Sequence, residues 1–415
     1  MLETTTKYKD TPIGKIPVDW EVKKFEKIFD FYPTASYSRA DLSVKDETLY
    51  LHYGDIHTKY HHHIDIDNSS LPTISDEKLR NYELVQNGDL VISDASEDYL
   101  GVGKCVEIIN LDQRKMIAGL HTFLARDKGD NFAPYFKGYV TLNSNVVKQF
   151  RRLATGTKVY SISKGSLASV QVPLPPLHEQ QKIAEILSTW DKAIQETDSI
   201  IKSLEKRNKV LAYSLLTGRK RVQACESEGW KVFNLGFYIE EYRKKPNDNS
   251  DLPVFTSSKN GLMMQSDYYS GSRMLSREDV DYNILPNGFI TYRSRSDDGL
   301  FTFNRNDKGL DGLISGYYPV FGITNGNADF FLYFLNYFKR KLTKYSSGTS
   351  QLVLSIKSLK TAKFNFPTHQ EQSKIAEILN AANKELQQYQ QKLNNLKTQK
   401  KGLMQQLLTG KVRTV

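Results

Sequence analysis

The sequence predicts an α+β protein in which two pseudo-symmetric mixed α/β domains are separated by two long antiparallel coiled-coil helices. Three observations lead there. The chain repeats itself, each repeat opens with strand-rich sequence, and each closes with a heptad-patterned helix. The repeat is plainest in Glu179-Gln180-Gln181-Lys182-Ile183-Ala184-Glu185-Ile186-Leu187, which returns as Glu371-Gln372-Ser373-Lys374-Ile375-Ala376-Glu377-Ile378-Leu379, an offset of 192 residues (371 − 179). Thr155-Gly156-Thr157 returns as Ser347-Gly348-Thr349, and Leu215-Leu216-Thr217-Gly218 as Leu407-Leu408-Thr409-Gly410, at the same offset. Nearer the start of each half the likeness thins. Tyr82 to Gly88 matches Tyr282 to Gly288, and Trp20-Glu21-Val22 resembles Trp230-Lys231-Val232, at larger offsets. A constant framework with divergent front portions suggests one architecture carrying two different surfaces.

The expected boundaries are residues 1–176 for the first mixed domain, 177–222 for the central long helix, 223–367 for the second domain and 368–415 for the C-terminal long helix. Within the domains, Asp89-Leu90-Val91-Ile92-Ser93 and Phe289-Ile290-Thr291-Tyr292 follow Asn-Gly pairs and read as strands leaving tight turns. Helical stretches are expected around residues 136–151 and 330–344. Pro175 and Pro367 mark the ends of the domains. Thr368 and Glu371 have the spacing of a capping box, which Pro176 denies to the first half. Gly218 and Gly410 are placed to end the helices.

Apolar residues in the first long helix fall at Ile183, Leu187, Trp190, Ile194, Ile201, Leu204, Leu211 and Leu215, with Thr197 and Asn208 at the polar seam positions. The second gives Ile375, Leu379, Ala382, Leu386, Tyr389, Leu393, Leu396, Leu403 and Leu407, with Lys400 as its polar member. A sustained 4-3 period is a coiled-coil seam, narrower than the stripe of a helix lying on a globular core. The second helix begins where a compact domain returns the chain to the end of the first, so the pair should run antiparallel. In that register Asn208 faces Ala382 and Lys400 faces Trp190. The seam is about 50 Å long at 1.5 Å rise per residue, which would put the two domains at its opposite ends about an approximate two-fold axis.

The 415 residues carry 57 Lys and Arg against 47 Asp and Glu, a net charge of +10 that favours a polyanionic partner. Met1 to Lys7 lacks the apolar core of a secretion signal, and no apolar run is long enough to cross a membrane. The two cysteines, Cys105 and Cys225, have no metal-ligand spacing and fit a reducing cytoplasm. No motif of [Asn/Asp]-Pro-Pro-aromatic type is present to hold a flipped base, since Pro175-Pro176 is flanked by Leu174 and Leu177; no phosphate-cradling P-loop occurs either. Asp10 with Glu21-Val22-Lys23 has a nuclease-like order of the kind that arises often by chance. His61-His62-His63 suggests a metal only until strand geometry is considered, because successive side chains point to opposite faces. A solvated or nucleic-acid-facing loop is the expectation there.

The block Pro173-Leu174-Pro175-Pro176-Leu177-His178-Glu179-Gln180 followed by Ile183-Ala184 resembles the signature closing each target-recognition domain of type I restriction–modification specificity subunits. Gly88-Asp89-Leu90, Thr155-Gly156-Thr157 and the two Leu-Leu-Thr-Gly ends share the likeness, which spans the whole chain twice. The second half departs from it at Gly288-Phe289 and Phe366-Pro367-Thr368-His369. The resemblance implies a non-catalytic subunit with two target-recognition domains reading a split site in double-stranded DNA. It further implies two methyltransferase subunits docked on the helices, with restriction/translocase subunits joining them. S-adenosylmethionine, ATP and Mg would belong to those partners, with no cofactor or metal in this chain, no membrane association and a bacterial cytoplasmic location. The alternatives are a self-sufficient DNA-modifying enzyme and a coiled-coil scaffold without a DNA role.

DNA contact is expected where donors reach base edges and cations reach phosphates. In the second domain Arg293 and Arg295, bracketed by serines on a loop after a strand, are the leading pair. The matching stretch of the first domain, Ser93 to Asp98, is acidic; it either accepts from cytosine amino groups or sits away from DNA. Arg151, Arg152, Thr157, Lys158 and Tyr160 flank the first Gly-Thr turn, and Lys344, Tyr345, Ser347, Thr349 and Ser350 flank the second. Arg243, Lys244, Lys259, Asn260, Lys59, Tyr60 and His61 are the remaining candidates.

Overall fold

The chain was analysed as a computed structural model that describes residues 7–79, 82–222, 229–247, 250–268 and 281–414. The residues Met1 to Thr6 of the N-terminal stretch considered above, and Cys225, lie outside the described residues. Two compact units result, residues 1–197 with 392–415, and residues 198–391. Each is described on its own.

The first unit is built on a five-stranded sheet in the order Phe29–Tyr32, Thr122–Asp127, Leu90–Ser93, Cys105–Ile109, His63–Asp65. All neighbours are antiparallel except the last pair. The second unit has a four-stranded antiparallel sheet, Ile239–Glu241, Val320–Ile323, Ile290–Tyr292, Phe303–Arg305. Strand for strand this is the same order, with His63–Asp65 added at one edge in the first unit. The Asn-Gly pairs do what their chemistry allows. Gly88 and Gly288 take φ of +83° and +85°, and their amides donate to Ile108 O and Asn306 O, both at 2.7 Å. The strands then enter their sheets as fully buried runs.

The expected helical stretches are present but broken. The first is Phe136–Val140 and Ser144–Leu153; the second is Ala328–Tyr337 and Lys339–Leu342. In the second unit Phe330, Phe331, Phe334 and Phe338 pack with Phe364 and Phe366 as an aromatic core whose neighbouring centroids lie between 4.5 and 6.4 Å apart.

The long helices are Leu177–Leu216 and His369–Leu408. Both end at glycines in the left-handed region, Gly218 at φ +71° and Gly410 at φ +68°. Each unit contains one half of each helix, and within each the halves run antiparallel. In the first unit Ile183 and Leu187 share a core with Leu403 and Leu407, while Asp191 meets Lys400. In the second, Leu215 and Leu211 pack with Ile375 and Leu379, while Asn208 Nδ2 donates to Ala382 O at 2.9 Å. Ile183, Leu187, Ile201, Leu204, Leu215, Ile375, Leu379, Ala382, Leu393 and Leu407 are buried, and Trp190, Ile194, Leu211, Leu386, Tyr389, Leu396 and Leu403 are half-buried.

Two local expectations are corrected. Thr368 Oγ1 accepts from Glu371 N at 3.3 Å, but the Glu371 carboxylate does not return to the cap. It is drawn instead to Arg221 and the Trp230 indole, because a buried carboxylate gains more from a cation than from one amide. Lys400 does not rest on Trp190. It pairs with Asp191 and lies 5.5 Å from the Tyr139 ring, since a carboxylate one residue away competes better for an ammonium than an indole face.

The triple histidine is also corrected from a solvated loop. His62 is buried and sits 3.0 Å from Asp191 Oδ2, which also accepts from Tyr139 at 2.7 Å. His63 Nε2 reaches Tyr135 O at 2.8 Å, and only His61 is exposed. Burial pushes the His62 imidazole from 6.5 down to about 4, against the upward pull of Asp191. A folded pKa below the unfolded one means that the unfolded chain binds the proton better. The resulting stability is whole above about pH 6.5 and is lost as pH falls towards 4. We expect roughly 3 kcal/mol at most from this residue. Denaturant titrations across that window should show the extra acid sensitivity in the parent chain and not in His62→Gln.

Candidate nucleic-acid interface

Both units end their variable part with the same small device. A hairpin carrying the repeated Gly-Thr turn folds back and pairs with the two residues beyond the central strand. In the first unit Ala95 and Ser96 pair with Ser161 and Tyr160; in the second Arg295 and Ser296 pair with Val353 and Leu352. The hairpins are closed by the bridges Thr155↔Ser161 and Ser347↔Val353. Their glycines are obligatory. Gly156 and Gly348 have φ of +115° and +106°, and a Cβ there would stand 2.0 and 2.3 Å from the carbonyl oxygens of Val159 and Gln351. The following turn is also duplicated, with Leu100 N donating to Asp98 Oδ1 at 2.9 Å and Leu300 N to Asp298 Oδ1 at 3.1 Å.

On this common frame the side chains differ. Ala95 is buried, whereas Arg295 occupies the matching strand position and is exposed. Arg295 therefore stands on a short strand, not on the loop expected for it. Its guanidinium lies 5.3 Å from the Tyr317 ring centroid. Arg293, Arg295, Lys259 and Asn260 line one groove of about 640 Å³, together with Asp297 and Asp298. Lys259 and Asn260 reach it on the turn between the strands Phe255–Ser258 and Gly261–Met264. Lys259 pairs with Asp298 at 2.5 Å, and this hydrogen-bonded ammonium holds the Asp298 carboxyl well below the usual carboxylate range. Gln351 donates to Asp297 at 3.0 Å and ties the hairpin to the groove. Ser347, Thr349 and Ser350 are exposed on that hairpin, and Lys344 is exposed just before it.

In the first unit Thr157 and Lys158 are exposed on the turn, and Tyr160 packs its ring edge-on against Tyr99 at 5.2 Å. Arg152 is exposed at the end of its helix. Arg151 and His61 line a cleft of about 560 Å³ with Lys104, Lys397 and Lys400. The acidic stretch is largely engaged in structure. Asp94 faces His121 at 3.3 Å, with burial raising its carboxyl pKa, and Asp98 caps the turn.

Several sequence candidates are not brought to these places. Arg243 pairs with Glu241 at 2.8 Å, and Lys244 lies 5.8 Å from the Tyr242 ring. Lys59 pairs with Asp55 at 2.9 Å, and the Tyr60 hydroxyl reaches Ser70 O at 3.4 Å. The Tyr345 hydroxyl accepts from Lys363 N at 3.3 Å. Asp10 and Glu21 are exposed, and Lys23 pairs with Glu21 at 3.0 Å. No group of three or more His, Cys, Asp or Glu able to hold a metal is found among the described residues.

Behind each head lies a clamp that sequence reading missed. Glu179 is fully buried and accepts from Trp20 Nε1 at 2.9 Å and from Arg413 Nε and an Nη at 2.8 and 2.9 Å. Glu371 repeats this with Trp230 Nε1 at 3.1 Å and Arg221 at 2.8 Å. The next residue, Gln180 or Gln372, takes the amide of Ala133 or Asn327 at 3.0 Å and donates to the carbonyl of Pro175 or Pro367. Each long helix is thereby locked to its head, and the tail of the other helix closes the lock.

A family model described as the type I restriction modification DNA specificity domain matches the chain twice, at residues 17–206 and 228–398. Among curated proteins, the putative type I restriction enzyme MjaX specificity subunit of Methanocaldococcus jannaschii is 26% identical over 98% of this chain and 96% of its own length. The MjaVIII specificity subunit from the same organism is 25% identical over 96% and 94%. The crystal structure of a type I restriction–modification S subunit from M. genitalium shares the fold with a TM-score of 0.57, at 14% identity, covering 98% of this chain and 97% of that one. A chain from a structure concerned with complex assembly and conformational transition of the type I system gives 0.54 at 15% identity, covering 96% and 99%.

Proposed function

The chain belongs to the family of type I restriction–modification DNA specificity proteins, and from that membership we propose that it reads a bipartite target in double-stranded DNA, one half-site per head. The carrying observation is the duplicated frame with unlike side chains: the same strand pair presents Ala95 in one head and Arg295 in the other. A common scaffold with different donors and acceptors is what two different half-sites require. We further propose that the chain performs no methyl transfer or strand cleavage itself, and that it needs no cofactor or metal. In this reading the helices position two methyltransferase subunits, to which restriction subunits attach, and S-adenosylmethionine, ATP and Mg are bound by those partners. A bacterial cytoplasm is the location that suits such work; no helix of the described residues is long and apolar enough to cross a membrane.

Incubating the purified chain with duplex DNA and a labelled methyl donor tests this reading. We expect band shifts that weaken steeply with salt and no label on the DNA. Label incorporated without partners would favour a self-sufficient enzyme, and an absence of any shift at low salt would favour a scaffold without a DNA role.

A further inference from the structure

We propose that Arg295 reads a guanine in the half-site of the second head, while its neighbour Arg293 grips phosphate and carries no sequence information. The inference rests on the DNA-reading role above and assigns the chemistry of that site. Both arginines are exposed at one groove, and what separates them is how each is held.

Arg295 is held on several sides. Its backbone pairs with Val353, so the strand position is fixed by the hairpin. Its guanidinium lies over the Tyr317 ring, and the Tyr317 backbone is anchored beside it, because the Ser294 hydroxyl donates to its carbonyl oxygen at 2.8 Å. No hydrogen bond or ion pair takes its N–H groups among the described residues, so the N–H edge is free. That edge carries the fork which matches guanine O6 and N7 in the major groove. The same groove contains Asp297 and Asp298. Asp298 is already paired with Lys259, which leaves Asp297 as an acceptor for the amino group of a paired cytosine. Arg293 has neither a ring beneath it nor an ion-pair partner among the described residues. A long, unsupported cation suits a phosphate, which accepts it in many geometries. In the first head the position of Arg295 is the buried Ala95, so a guanine cannot be read there in this way.

The test is selection of bound sequences from a library of randomised duplexes by the full chain assembled with its methyltransferase partner. The parent should enrich two short blocks, one with guanine at a fixed place. Arg295→Ala should lose the preference at that one place by about ten- to a hundredfold while keeping the other block. Arg295→Lys keeps the charge but not the planar fork, and should weaken the same preference less than Arg295→Ala does, with the salt dependence unchanged. Arg293→Ala should weaken binding to every sequence alike and lower the slope of log affinity against log salt by about one. Both side chains are exposed, so loss of folding is not expected, and retention of the first block verifies it. A parent motif that Arg295→Ala leaves unchanged would overturn the assignment alone. A parent that enriches no motif would overturn the reading on which it rests.

Discussion

Replacing Arg413 with alanine is expected to destabilise the first head by about 3–5 kcal/mol and leave the second untouched, because it strands a buried carboxylate. Glu179 has no exposed surface, and Arg413 supplies two of its hydrogen bonds while also reaching Asp19 at 2.5 Å. The Trp20 indole alone cannot balance the charge. The partners agree electrostatically: the hydrogen bonds that Arg413 donates to Glu179 and Asp19 hold the guanidinium protonated, and Asp19 is held below its ordinary value chiefly by its bond to Arg413. Arg221→Ala is the mirror experiment. Glu371 is equally buried and draws on Arg221 and Trp230, so the loss should fall on the second head. Hydrogen exchange resolved by segment measures both. Equal loss of protection in the two heads from either change would mean that the clamps do not act separately.

Inserting one heptad into both long helices, at the boundaries of the two units near residues 197 and 391, is expected to change which targets are bound. Seven residues add about 10 Å to each helix, a length equivalent to about three base pairs of duplex. The insertion preserves the apolar seam, since the period is unbroken. Affinity for the original spacing should fall by about 10²–10⁴-fold, the loss incurred when a bivalent binder can engage only one site at a time. Targets with a longer spacer should take over. Band shifts on duplexes differing only in spacer length provide the measurement. An insertion in one helix alone would break the pairing of the halves and should destabilise the chain instead. A spacer preference that survives the double insertion would show that the helices do not set it.

Much of this architecture was legible because it is periodic. The 192-residue offset marked the repeat, the 4-3 spacing marked the seam, and the Asn-Gly pairs marked the entries to the central strands. The placing of Asn208 against Ala382 followed from the register. What escaped was set by long-range geometry. Arg221 and Arg413 stand at the same offset, and Trp20 and Trp230 were already paired as repeats, so the two clamps left a signal that matching residues could have found. That Glu179 and Glu371 would be their common acceptor required the fold. The histidine run misled for a similar reason: its polarity suggested solvent, but the helix beside it supplied Asp191 to receive His62. Lys59 and Arg243 pair with nearby carboxylates, and Tyr317, which lies beneath Arg295, had no feature in sequence to single it out.

The claim on which the account depends is that one chain carries two unlike readers of DNA. Mapping every methylated position in the genome of cells that contain this chain with the methyltransferase subunits proposed above is the deciding measurement. The expected result is a single motif of two short defined blocks of different sequence, separated by a spacer of fixed length and no preference. A contiguous motif, or a pair of identical blocks, would contradict it.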